Sequence, residues 1–150
     1  MVQALPKKRG PQNIGKNVAG IGSKIHIIMG EQDVICADIT GAQVHDSKPV
    51  EEMMYHLNLE EIERFVGDKA YDSNKIRDFL KDNGIYAEIP SKSNRKIAPR
   101  FDKTVYKWRY RIECLFQKLK ENRRLCMRFD KLDVTFMGFV AIALIKIQVC

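Results

Sequence analysis

Tyr106 to Lys120 reads YKWRYRIECLFQKLK. On a helical wheel at about 100° per residue, with Ile112 as zero, Val105, Trp108, Leu115, Phe116 and Leu119 fall within about 60°. They predict the buried stripe of a long helix spanning roughly Lys103 to Arg124. Four polar residues follow one edge of that stripe: Arg109 at about 60°, Lys120 at about 80°, Glu113 at about 100° and Tyr106 at about 120°. Two cations, a phenol and a carboxylate thus share one boundary between core and solvent. Arg109 and Glu113 taken alone are an ordinary i,i+4 pair, worth a few tenths of a kcal/mol. An ion-pair ladder does not, however, predict the full spacing Y-x2-R-x3-E-x6-K.

Upstream, Gly67 to Ser73 reads GDKAYDS. Asp68 follows the short apolar run IERFVG (Ile62–Gly67), read as a strand, and the end of a buried strand is an expected place for a catalytic carboxylate. On its own the segment reads more plainly as a strand end followed by a helix cap at Asp72 or Ser73. Two further motifs precede it, GAQVHDS (Gly41–Ser47) and SKIH (Ser23–His26).

The remaining elements follow from periodicity. Lys24–Met29 and Val34–Ile39, separated by Gly30-Glu31-Gln32-Asp33, predict an antiparallel hairpin. Val50, Met53, Met54 and Leu57 at i, i+3, i+4, i+7 predict a helix with Ser47 as N-cap and Pro49 near its start. Ile76, Phe79 and Leu80 mark a second helix, stopped by Asn83-Gly84. Ile85–Ile89 reads as a strand, residues 91–100 as a basic loop, and Val134–Val149 as a buried helix. The last run is about 16 residues, short of the ~20 a membrane span needs. Residues 1–23 hold no sustained period and read as a flexible basic segment, leaving 24–150 as one folded unit. The order β, β, α, β, α, β, α, α argues for a mixed sheet covered by helices on its faces.

The chain has 150 residues, 45% of them apolar, enough for a core of its own. Its net charge of +7 is unevenly placed. Between Ser91 and Lys131 stand 14 Lys or Arg against four acids, while the rest of the chain is slightly acidic. A basic block interleaved with aromatic residues on a nearly neutral body is the footprint of a nucleic-acid binder. Cys36, Cys114, Cys126 and Cys150 form no CxxC pair, which excludes a zinc ribbon and a disulfide framework. No secretory signal is visible, so the expected location is the cytoplasm, in association with DNA and with no membrane contact.

The spacing from Tyr106 to Lys120 matches the Y-R-E-K signature of bacterial insertion-sequence transposases. GDKAYDS resembles that family's D-K-x-Y-D element, GAQVHDS its G-Q-x-H-D turn and SKIH its T-K-I-H strand, all in the family's order. About residues 20 to 148 therefore resemble the catalytic core of DDE transposases of the insertion-sequence four/five superfamily. The resemblance implies an α/β, RNase H-like fold whose acids hold two divalent metal ions, Mg²⁺ or Mn²⁺, for cutting and joining insertion-sequence ends. Residue by residue it makes Asp68 the second acid and Glu113 the third. It makes Tyr106, Arg109 and Lys120 phosphate contacts to double-stranded DNA, and Lys69, Lys92, Arg95 and Lys96 are candidates for further contacts. Hard cations prefer such carboxylate ligands, and Arg and Lys suit phosphate.

The family's first acid lies in D-S-T-x-V-x-A on its first strand. Only the tail of that pattern fits Met1-Val2-Gln3-Ala4, and the aspartate would fall three positions before Met1. The expectation is a core lacking all or most of its first strand and inactive alone. It would be either a truncated remnant or a second reading frame partnered by an upstream product, working as a homodimer on paired ends. The competing expectation is a non-catalytic DNA-binding remnant that occupies transposon ends.

Overall fold

Ile25, Ile27 and Met29 alternate with His26 and Ile28, and an extended chain turns such a pattern into two differently faced sides. The computed structural model describes residues 12–17, 20–31 and 33–149. In it, β1 (Gly15–Asn17), β2 (Gly20–Met29) and β3 (Val34–Gly41) form an antiparallel sheet with β2 in the middle. Ile25 lies opposite Ile39 and Ile27 opposite Ala37. Helix α1 (Ser47–Met54), strand β4 (Arg64–Val66), helix α2 (Asn74–Asp82) and strand β5 (Tyr86–Glu88) follow. β4 and β5 pair in parallel, Phe65 opposite Ala87, with α2 as the crossover. Four helices complete the chain: α3 (Lys103–Tyr106), α4 (Arg109–Lys120), α5 (Arg123–Cys126) and α6 (Asp133–Val149).

The β2–β3 ladder separates two cores. Ile25, Ile27, Met29 and Ile39 pack with Leu115 and Leu119 of α4, Leu125 of α5, and Phe136, Val140 and Leu144 of α6. Ile28, from the opposite face, joins Val50 and Met54 of α1, Ile76 and Leu80 of α2, and Ile85 and Ile89. One strand's period-2 pattern therefore serves both layers. Local signals end the crossover helix where its sequence suggests. Ser73 Oγ accepts from the Ile76 amide at 3.2 Å. Gly84 takes φ +72°, and the Ile85 amide reaches back to Leu80 O at 2.8 Å.

Several expectations are corrected. The 1–23 segment is not all loop: β1 and the first four residues of β2 lie within it, while residues 1–11 fall outside the described residues. The single mixed sheet is instead two sheets among the described residues, three-stranded antiparallel and two-stranded parallel. The α/β layering holds without a hydrogen-bonded link between them.

The long helix from Lys103 to Arg124 is three pieces. Between Thr104 and Arg111 the amides of Lys107, Trp108, Tyr110 and Arg111 bond three residues back rather than four. This tightening advances each residue further around the axis than the α-helical wheel assumes. Trp108 is accordingly 48% exposed instead of buried. No Pro or Gly marks the break, so composition alone does not reveal it. Ser47 is the first residue of α1 rather than its cap, Asp46 holding that place, and Leu57 lies beyond the helix. The apolar α6 buries only one face: Val134, Ile142, Ile145 and Val149 are exposed. Among the described residues no helix is long and apolar enough to cross a membrane.

Candidate nucleic-acid interface and acidic residues

Side chains tie the first two of the upstream motifs together. Lys24 of SKIH donates to Val44 O at 2.7 Å and to Asp46 Oδ1 at 2.8 Å, both in GAQVHDS. His26 is buried and bonds Thr40 Oγ1 at 2.7 Å. Burial pushes its pKa down, against the opposing pull of Asp46 and Asp38. Burial likewise pushes the Tyr71 hydroxyl of GDKAYDS up to about 12, helped by the negative fields of Asp46 and Asp68. The H-D turn and the GDKAYDS segment are thus electrostatic neighbours.

Asp68 caps the 3-10 turn Lys69–Tyr71, its Oδ1 accepting from the Ala70 amide at 2.6 Å. Lys69 projects from that turn and is exposed. Glu113 sits on α4 with about half its side chain exposed, paired to Arg109 at 3.0 Å. The Arg109 guanidinium also lies 5.5 Å from the centre of the Tyr106 ring. Tyr106, Arg109 and Glu113 are therefore brought together on one helix edge, across the α3–α4 junction. Lys120 lies further along at the end of α4, exposed and without an ion pair among the described residues.

No hydrogen bond or ion pair among the described residues joins Asp68 to Glu113. Nor do three or more His, Cys, Asp or Glu side chains there form a group able to hold a metal ion. Asp68 and Glu113 on their own do not make up a two-metal site.

The second concentration of charge is one that sequence reasoning missed. Of the two caps expected for this helix, Asp72 or Ser73, it is Ser73 that caps α2, while Asp72 is buried beneath the basic loop. Its carboxylate accepts from Arg77 Nε at 2.7 Å, the Lys92 amide at 2.8 Å and Arg95 Nε at 3.0 Å. Burial alone would raise the Asp72 pKa; these donors outweigh it and hold the group down to about 2. The i,i+5 separation of Asp72 and Arg77 belongs to no regular helical pairing, so only the run of basic residues at 92–96 hinted at a buried acid.

Much of the basic block is already engaged. Arg124 pairs with Asp130 at 3.1 Å and stacks 3.6 Å from the Phe139 ring centre. Arg128 pairs with Asp133 at 2.6 Å and lies over Phe136. These arginines fasten α5 and the following turn to α6, so the sequence count overstates the charge available to a partner.

A family model described as "Transposase DDE domain" matches residues 4–145. The chain belongs to the DDE transposase family. A Brucella ovis protein described as a transposase for insertion sequence element IS6501 is 40% identical over 79 residues, 52% of this chain and 61% of that protein. The chain thus spans about three fifths of the length of the curated relative it matches. No solved structure gives a significant match. Tyr106, Arg109 and Glu113 are the expected site residues that the fold sets side by side.

Proposed function

We propose that this chain carries part of the catalytic unit of an insertion-sequence transposase with an RNase H-like fold, which moves DNA by metal-dependent phosphoryl transfer. The observation that carries this reading is the grouping of Tyr106, Arg109 and Glu113 on one solvent-facing helix edge. Arg109 can offer a planar pair of donors to a phosphate, and Lys120 a point charge further along the same helix. Lys69, Lys92 and Lys96 extend the cationic surface. Arg95 belongs to the same loop, with its donors turned inward to Asp72 and Asn74.

Two divalent ions about 4 Å apart would clamp the attacking and leaving oxygens of such a displacement. Asp68 and Glu113 are suitable oxygen ligands, but two acids without a third do not fit a two-ion site. An aspartate on a further strand, within a D-S-T segment, would complete the set. Homodimerisation on paired ends, and partnership with an upstream reading-frame product, belong to the same proposal.

A second reading, a non-catalytic protein that occupies transposon ends, needs only the cationic groups of Arg109 and Lys120 and no metal. Two measurements test the pair. Affinity for duplex DNA should fall steeply with salt, and Arg109→Ala with Lys120→Ala should lower the log–log slope by about 0.9 per lost phosphate contact. An unchanged slope removes both residues from the DNA surface. Calorimetric titration with Mg²⁺ or Mn²⁺ separates the readings: Asp68→Asn weakens ion binding under the first, whereas no binding at all supports the second.

A further inference from the structure

We propose that Asp72 is a positioning residue for the basic loop 91–97, and that Arg95 is the bolt fastening the loop to it, leaving Lys92 and Lys96 to meet DNA phosphates. This rests on the DNA-binding reading above and assigns its surface. The Asp72 side chain is 1% exposed, and its two oxygens serve donors from three residues, one on α2 and two in the loop. Arg77 reaches it from α2 and also bonds Ile89 O at 2.7 Å, just past β5. The Lys92 amide and Arg95 reach it from the loop. Between β5 and α3 the chain forms no helix or strand; Glu88 holds its far end through the Asp102 amide, and Asp72 anchors the stretch from Lys92 to Arg95.

The state of Arg95 is what decides the assignment. Its Nε donates to Asp72 Oδ2 at 3.0 Å, its Nη2 pairs with Asp72 Oδ1 at 2.9 Å, and its Nη1 donates to Asn74 Oδ1 at 2.9 Å. All three guanidinium nitrogens are engaged. A phosphate would have to pull the group away from a buried carboxylate and leave that charge unpaired, which is costly. Lys92 and Lys96 differ. Lys92 is held through its backbone, its amide on Asp72 and its carbonyl on the Arg95 amide, and neither ammonium has an ion pair among the described residues. Both residues line a cleft of about 530 Å³ together with Asp72, Ser73, Asn74 and Arg95. Asp72 lies four positions after Asp68, so the bolt sets this cationic rim next to the segment carrying the candidate acid.

The test compares the whole chain with Arg95→Gln, Asp72→Asn, Lys92→Ala and Lys96→Ala. Duplex-DNA affinity is measured against salt, and amide hydrogen exchange is followed in the free proteins. Lys92→Ala and Lys96→Ala should each lower the salt slope by about 0.9 with loop protection intact. Arg95→Gln should leave the slope unchanged, weaken binding at every salt concentration and speed exchange of the Lys92 amide. The proposal is overturned if Arg95→Gln lowers the slope by about 0.9 while that amide stays protected, or if neither lysine variant moves the slope. Should Asp72→Asn fail to fold, Arg95→Gln carries the test alone. A parent chain that binds no DNA at any salt defeats the DNA reading and the lysine assignment with it. Unchanged Lys92 exchange in Arg95→Gln, with DNA binding intact, defeats only the bolt.

Discussion

At the scale of single residues, the buried ionisable groups give the chain its pH dependence. The Asp72 carboxyl sits at about 2 in the folded protein, below its ordinary value near 3.8. Its folded pKa is depressed, so its stabilisation is present above the unfolded value and disappears as pH falls through the folded one. A shift of this size corresponds to about 2 kcal/mol. Urea unfolding should show Asp72→Asn less stable than the parent at pH 6, with the gap closing towards pH 2. A gap of constant size would detach the effect from ionisation. His26 acts at milder pH. Burial lowers its pKa below 6.5, so the unfolded chain binds more protons and stability declines as pH drops through that value. The thermal midpoint should therefore fall between pH 7.5 and 5, and His26→Gln should flatten that decline. An equal decline in the variant would assign it to other groups.

Among the elements, α6 and the α3–α4 junction depart furthest from their sequence patterns. Helix α6 is apolar all round, which reads as burial on every side, yet only the face holding Phe136, Val140, Ala143 and Leu144 is covered. Leu144→Ala should cost about 2–5 kcal/mol through lost contacts and a residual cavity. Ile142→Ala, at a position 63% exposed, should stay within about 0.5 kcal/mol. Denaturant midpoints of the two variants check this, and equal losses would mean that Ile142 is covered in solution. At the α3–α4 junction the tightened turn between Thr104 and Arg111 moves Trp108 outward but keeps Arg109 in reach of both Tyr106 and Glu113. The polar edge tolerated the break because its members lie three and four residues apart, spacings that a single tight turn still brings close.

For the whole molecule, a central hairpin between two cores carries the candidate acids on different elements: Asp68 after β4, Glu113 on α4. Under the proposed function Asp68 and Glu113 need a third acid, so the chain is expected to bind DNA and to cut it in Mg²⁺ or Mn²⁺ when that acid is supplied. Misplacing one catalytic element alone can cost ~10²-fold in rate. An amino-terminal extension bearing D-S-T should raise metal-dependent cleavage of transposon-end DNA, and Asp68→Ala should abolish it again. Equal cleavage by the extended and the 150-residue chains would mean that another carboxylate, with Asp38 and Asp46 the first to substitute, completes the site.

The sequence alone determined whatever depends on neighbours in the chain. The β2–β3 hairpin follows from alternation around Gly30, and the end of α2 from Asn83-Gly84, because pleat and left-handed turn are local properties. The ordered spacing of the Y-R-E-K column and the three upstream motifs determined family membership in the same way, since chemistry of this kind fixes residue types at fixed intervals. Only the tertiary structure decided which charges are available. Asp72 draws in Arg77 and Arg95, and Asp130 and Asp133 take up Arg124 and Arg128. A charge count cannot see these pairings, because they depend on which side chains folding carries out of water together, where an unpaired charge is costly.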